Sequence, residues 1–178
     1  MRRSNKEIKD QSVIIGLLNT CPVGRLGTIG EDGYPMVKPL NFVYAGGKIY
    51  FHTAREGEKM EHIARNNRVC FEADLPIAFV RAKDDPCRSG YLYRSVIIMG
   101  RAQVVQDRDE QIFGLQCLMR KYQPEGGYGD FSEEKLKITG VVRIDIEEMT
   151  GKEDLGSGSV KEKVEKAPAG PALPVDLE

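Results

Sequence analysis

The sequence predicts a mainly β fold: a closed or partly closed antiparallel barrel of six strands, with two or three helices at its ends. Three observations predict it. Short segments with apolar and polar residues in alternation recur over the first 150 positions, most clearly Val142, Ile144 and Ile146 against Val141, Arg143 and Asp145. Turn signals such as Asp32-Gly33 and Ala45-Gly46-Gly47 join several of them as hairpins, because Asp-Gly supplies the positive φ angles of a tight turn. Segments with helical periodicity are few and short.

In chain order, Asp10 can cap a first helix whose apolar positions Val13, Ile14, Leu17 and Leu18 share a face, and Pro22 ends it. Val23 to Ile29 is the first strand and Tyr34 to Tyr44 the second. Pro39 cannot donate to a ladder, so its part of the second strand belongs at an edge, a bulge or a split. Lys48 to His52 is the third strand, followed by a polar turn and a short helix. Met60, Ile63 and Ala64 fall on the buried side of that helix, His62 lies off it toward solvent, and Asn66-Asn67 stops it in a left-handed cap. Arg68 to Ala73 is strand four. Residues 75 to 90 read as a loop, and Tyr91 to Val105 as a long strand with a bulge at Gly100. Asp107 and Glu110 resemble a capping box for a helix with Ile112, Leu115, Leu118 and Met119 on one face. Residues 128 to 136 form a loop and a helical turn, and Ile138 to Ile146 is the sixth strand.

Two segments follow: a domain over residues 1–150 and a polar, Pro- and Gly-rich tail over 151–178, with too few apolar residues to offset the entropy of ordering. With 26 basic and 27 acidic residues the net charge is −1, so no basic field recommends nucleic acid or anionic lipid as a partner. The longest apolar runs fall far short of the ~20 residues of a membrane span. The charged N-terminus is unlike a signal peptide, and a cytoplasmic location is expected. Cys21, Cys70, Cys87 and Cys117 contain no C-x-x-C pair, and with His52 and His62 they complete no zinc spacing, so no metal site is expected. They read as small apolar residues, with Cys87 the best placed for redox chemistry.

Glycine-rich nucleotide loops, a G-x-S-x-G elbow and an H-E-x-x-H helix are absent from the sequence. The informative stretch is Lys48 to Ala73, KIYFHTAREGEKMEHIARNNRVCFEA. A strand, a turn and a helix N-terminus present backbone N–H groups and a positive dipole end, which suits an anion such as a cofactor phosphate. Lys59 lies in the first helical turn, where a cation is disfavoured unless a negative group offsets it. By residue type alone, Lys59, Lys38, Asn41, Arg94 and Ser95 read first as solvated or outer-face polar side chains, and His52 as readily so as a ligand contact.

The order MVKPLNFVY, turn, KIYFHTAREGEKMEHIARNNRVCFE, loop, YRSVIIMGRA resembles the FMN-binding split-barrel superfamily typified by pyridoxamine 5′-phosphate oxidase. Within it, the sequence is most similar to the small flavoproteins of the nitroimidazole-resistance (Nim) type. The resemblance covers Asn5 to Lys152. It implies a split barrel and a homodimer holding two FMN at the subunit interface. It places the strand Met36 to Asn41 beside the flavin ring, with Lys38, Pro39, Leu40 and Asn41 nearest. His52 and Thr53 match a pair that contacts the flavin and its ribityl or phosphate end. Lys59 matches a phosphate-binding lysine, and Ser95 a polar position facing the cofactor.

Glu58 departs from the pattern, because the oxidase has arginine there; Arg25 or Arg94 would have to supply the missing phosphate contact. The oxidase's C-terminal substrate-phosphate residues have no match after Thr150, which counts against oxidation of pyridoxamine phosphate. The function implied is an FMN-dependent oxidoreductase acting on a small molecule, with a nitro compound as one acceptor and His52 orienting substrate or relaying a proton. The alternatives are a flavin- or haem-binding protein on the same barrel without dedicated turnover, and a deazaflavin-dependent reductase.

Overall fold

The structure, a computed structural model, describes residues 4–82, 85–156, 158, 161, 162 and 173–176. The elements are β1 (Glu7–Ile8), α1 (Gln11–Thr20), β2 (Gly24–Ile29), β3 (Pro35–Leu40), β4 (Val43–Ala45), β5 (Lys48–Ala54), α2 (Glu58–Arg65), β6 (Arg68–Arg81), β7 (Gly90–Val104), α3 (Arg108–Tyr122), α4 (Glu133–Ile138), β8 (Thr139–Asp154) and β9 (Leu173–Asp176). Short 3₁₀ turns occur at Ser4–Lys6 and Pro86–Arg88. The protein is mainly antiparallel sheet with flanking helices, as predicted. Its described residues form nine strands, where six were expected. The extra ones are the short β1 and β9 and a division of the predicted second strand.

The chain divides into two compact units. The larger holds Leu18–Ala73 and Ile97–Met149. Its strands follow the order β3-β2-β6-β7-β8-β5-β4, an open path with β3 and β4 at the ends. Pro39 therefore sits on an edge strand, opposite Arg25 of β2, where its missing N–H removes no inner ladder bond. The break falls instead at Asn41–Phe42, because the Phe42 N–H donates to the Tyr122 hydroxyl at 2.9 Å. That hydroxyl also lies 2.7 Å from the Pro22 carbonyl.

In β5 and at the start of β8 consecutive residues are buried, Ile49 to Phe51 and Val141 with Val142, so both faces of the sheet are covered there. Ile49 and Phe51 are fully buried on one face of β5, and Tyr50 on the other. On Tyr50's side Val43, Val105, Leu115, Leu118, Leu136 and Val141 form a cluster under α3 and α4. Asp107 caps α3 by accepting from the Glu110 N–H at 2.8 Å, as the capping-box pattern predicted.

The smaller unit holds Met1–Leu17, Asp74–Val96 and Thr150–Glu178. Here β1 pairs antiparallel with β8, and β9 pairs in parallel with Ala78–Arg81 of β6. Ala78, Val80, Leu92 and Leu155 form its apolar cluster. The predicted loop over 75–90 is corrected by this unit: β6 continues to Arg81, since Ala78 and Val80 alternate inward. What remains is a short connection in which Asp85 accepts from the Cys87 N–H at 3.0 Å. Residues 83 and 84 lie outside the described residues. The predicted tail contains the end of β8 and the strand β9, and most of its remaining positions lie outside the described residues. No helix among the described residues is long and apolar enough to cross a membrane.

Two further expectations are revised. Asn66 ends α2 in an extended conformation at φ −139°, with its N–H bonded to the His62 carbonyl. His62 is buried at 7% exposure, and its Nδ1 lies 3.0 Å from the Thr28 hydroxyl.

Lys121 makes one contact set with a consequence for stability. Its ammonium donates to the Leu18 carbonyl at 2.9 Å and lies 3.6 Å from the centre of the Phe42 ring. Burial pulls its pKa down to about 8 from an ordinary 10.5. In this interval the unfolded chain holds the extra proton, so stability is expected to rise as pH increases from about 8. Solvent screening of this half-exposed group leaves a gain of roughly 1 kcal/mol. Tyr50, pushed up to about 12 by burial and by Glu110, opposes the trend above pH 10. Urea unfolding across pH 8 to 10 should show the rise, and Lys121→Met should abolish it.

Candidate functional site

The turn between β5 and α2 builds the candidate site. Gly57 precedes the helix at φ 117°, a conformation open to glycine and strained for other residues, and no side chain caps the helix. Its first N–H groups are therefore left to solvent or a ligand. Glu58 and Lys59 follow. Glu58 pairs with Lys38 of β3 at 3.3 Å, with both groups half-exposed. Lys59 is half-buried, with its Nζ 5.2 Å from the centre of the Phe51 ring. The described residues give its ammonium no carboxylate partner and no hydrogen bond. Burial pulls its pKa down, and the nearby Lys38 charge adds to the shift.

The charges make one side of α2 suitable for an anion and the other unsuitable. Glu58, Glu61, His62 and Arg65 recur at helical spacing and line an open cleft of about 930 Å³ together with Glu31 and Asp32. That cleft is acidic. Lys59 does not line it. Lys38 is balanced by Glu58, so Lys59 carries the net positive charge of the turn. A phosphate fits this donor set: an unpaired half-buried ammonium, the uncapped N–H groups of α2 and the half-buried Thr53 hydroxyl.

His52 and Thr53 adjoin in sequence but leave β5 on opposite faces. Thr53 shares the face of Phe51, over which Lys59 sits. His52 shares the face of Tyr50 and lines a cavity of about 320 Å³ with Asn41, Leu115, Leu118, Met119, Tyr122, Phe131, Lys135, Leu136 and Thr139. A period-2 reading of the strand could have found this separation. The contribution of α3 and α4 could not be read from the sequence, because Phe131 and Leu136 lie some 80 positions beyond His52.

The other expected contacts are distributed as follows. Lys38, Pro39 and Leu40 lie on β3, opposite Leu26, Arg25 and Gly24, with Asn41 just after its end. Arg25 is engaged by Glu72 at 2.9 Å. Arg94 and Ser95 belong to the smaller unit, where Arg94 is held by Glu153 at 3.0 Å. Both arginines named as substitutes for the missing phosphate contact thus already carry carboxylates. Cys87 is exposed, Cys21 and Cys117 are buried, and the described residues form no group suited to a metal ion.

The sequence matches the pyridoxamine 5′-phosphate oxidase family over residues 10–153. No curated protein matches the chain. Among solved structures, the chain is similar to a candidate 5-nitroimidazole antibiotic resistance protein from Bacteroides thetaiotaomicron. That likeness has a TM-score of 0.71 and 26% identity, covering 82% of this chain and 85% of the other. It shares its fold with a flavocytochrome from Azotobacter vinelandii (TM-score 0.78, 20% identity, 96% and 80% covered). The FAD- and haem-binding protein from Mycobacterium smegmatis has the same fold (TM-score 0.77, 18% identity, 93% and 82% covered). The open antiparallel sheet is that of a split barrel, and with four-fifths of its length matched the chain belongs to the pyridoxamine 5′-phosphate oxidase family.

Proposed function

We propose that the protein is a flavoprotein that binds FMN and acts as an oxidoreductase of the Nim-like kind on a small organic acceptor. The observation that carries this reading is Lys59, a half-buried ammonium beside an uncapped helix N-terminus with no carboxylate to balance it among the described residues. Removing a cation from water without a counter-ion is unfavourable, and a bound phosphate offsets that penalty. The names of the structural neighbours, a flavocytochrome and a protein that binds FAD and haem, support a flavin on this scaffold.

In this reading Lys59 neutralises phosphate charge, the α2 N–H groups and the Thr53 hydroxyl donate to it, and β3 supports the ring with Lys38, Pro39, Leu40 and Asn41. Bound FMN supplies the redox centre. His52 is the proposed catalytic residue, its ring nitrogens holding or moving a proton beside the substrate. A homodimer is part of the proposal, supported by Ile29, Val37 and Met99, which stand 40%, 61% and 49% exposed around a shallow cavity of about 500 Å³.

Purified protein should be yellow and release FMN on denaturation; protein that is colourless and does not take up FMN when titrated overturns the proposal. A charge-assisted contact contributes about 1.5–3 kcal/mol. Lys59→Ala should therefore weaken FMN binding by roughly 10- to 150-fold in a fluorescence-quenching titration. Unchanged affinity removes Lys59 from the site.

A further inference from the structure

We propose that the cavity beside His52 binds a small carboxylate with an apolar body, an aryl- or branched alkyl-carboxylate, as the substrate or a close competitor of it. The inference deepens the function proposed above and rests on it in placing His52 next to the substrate.

Size and lining set the class. The cavity, about 320 Å³, lies at the low end of the roughly 300–1,000 Å³ usual for ligand pockets. Leu115, Leu118 and Met119 of α3 and Phe131 and Leu136 next to and within α4 give it apolar walls. Its polar groups are those of Asn41, His52, Tyr122, Lys135 and Thr139, and none is a carboxylate. The cleft beside α2, lined by four acidic residues, is the opposite case.

Lys135 supplies the charge. Around α3, Lys48 is paired with Asp145, Arg108 with Glu133 and Arg143 with Glu110. Lys135 has no such pair among the described residues. Tyr122 and Thr139 already donate to the carbonyls of Phe42 and Lys135, so a ligand that places its hydrocarbon part against the leucines and its carboxylate toward Lys135 and His52 meets the polar side chains left on the wall. A neutral ligand of the same shape leaves the cation unused.

The pocket is also built before a ligand arrives. Gln111 is 5% exposed, and its Nε2 donates to the carbonyls of Leu136 at 2.9 Å and Thr139 at 2.8 Å. Arg108 donates to Gln111 Oε1 at 3.2 Å. These bonds tie the C-terminal end of α4 to α3 and fix the wall, so little ordering accompanies binding.

The test is calorimetric titration of the full chain with benzoate and with benzamide, its neutral isostere. Benzoate should bind at least tenfold more tightly. Lys135→Met should remove that preference and leave benzamide binding unchanged, while Met119→Trp, which fills the cavity, should abolish both. Equal affinities, no binding of benzoate, or an unchanged preference in Lys135→Met each overturn the proposal. FMN content is read from the absorption of the same samples. Benzoate binding by protein that takes up no FMN overturns the flavin assignment alone, and FMN-loaded protein that ignores benzoate overturns this one alone.

Discussion

Gly100→Ala is expected to lower the stability of the protein by about 3 kcal/mol, at the upper end of what overpacking costs, and Gly100→Val to prevent folded chain from accumulating. A β-carbon placed at Gly100 would lie 2.4 Å from the carbonyl oxygen of Asp145 and 2.9 Å from Ile144 Cγ2. Neither neighbour can withdraw. Ile144 is fully buried, and Asp145 is held from two sides, by Lys48 at 2.9 Å and by Arg143 at 3.2 Å. Asp145 also sits opposite Lys48 in the β5–β8 ladder, so moving its carbonyl would disturb the pairing that supports the site strand. Urea denaturation of Gly100→Ala decides the matter: a change below about 0.5 kcal/mol, the range of ordinary surface substitutions, would show that β7 and β8 can separate freely.

Gly100 also shows what was legible in the sequence and what was not. A glycine within an apolar strand marks either a bulge or a close backbone approach, and pattern alone does not choose between them. The structure supplies the second reason, a carbonyl from a strand 45 positions away. Elements governed by local chemistry were readable: the Asp107 cap, the Asp32-Gly33 hairpin, closed by a Gly30 N–H to Tyr34 carbonyl bond of 2.7 Å, and the long strand that became β7. Elements governed by distant partners were not. The proline, aspartate and lysine of 75–90 made 75–81 look like part of a loop, although Ala78 and Val80 alternate correctly, because the residues that bury them come from elsewhere in the sequence. His62 sits where helical periodicity points to solvent, and the Thr28 hydroxyl that makes its burial tolerable belongs to β2.

The candidate site divides in the same way. The Thr53–Lys59 half is contiguous, and a strand, a turn and a helix start in sequence were enough to suggest an anion. The meaning of Glu58 was not available locally. Beside Lys59 it looked like the loss of a phosphate ligand, whereas its partner is Lys38, so the pair cancels and leaves Lys59 as the unbalanced charge. The His52 half depends on α3 and α4, whose packing over Tyr50 and Val141 follows from the closing of the sheet and from no motif.

Phe51 lies beneath the Lys59 half, and its substitution should have an effect larger than that of Gly100→Ala. The ring has no solvent exposure, and Phe51→Ala is expected to cost about 3–5 kcal/mol through lost burial and the cavity left behind. Phe51→Leu nearly conserves volume and should cost less than about 1.5 kcal/mol, so it isolates what the ring does for its neighbour. Lys59 stands 5.2 Å from the ring centre, and a ring face favours a desolvated ammonium by about 1–2 kcal/mol. Burial already pulls the Lys59 pKa down, and without the ring it should fall further. The charged form is the one that holds a phosphate, so FMN binding should be lost as pH rises through the Lys59 pKa. In Phe51→Leu that loss should begin at lower pH than in the parent. Fluorescence titrations of FMN from neutral to alkaline pH measure it. If the two proteins lose FMN at the same pH, the ring is only a core residue; if the leucine variant loses it earlier, Phe51 is where the hydrophobic core sets the charge of the binding site.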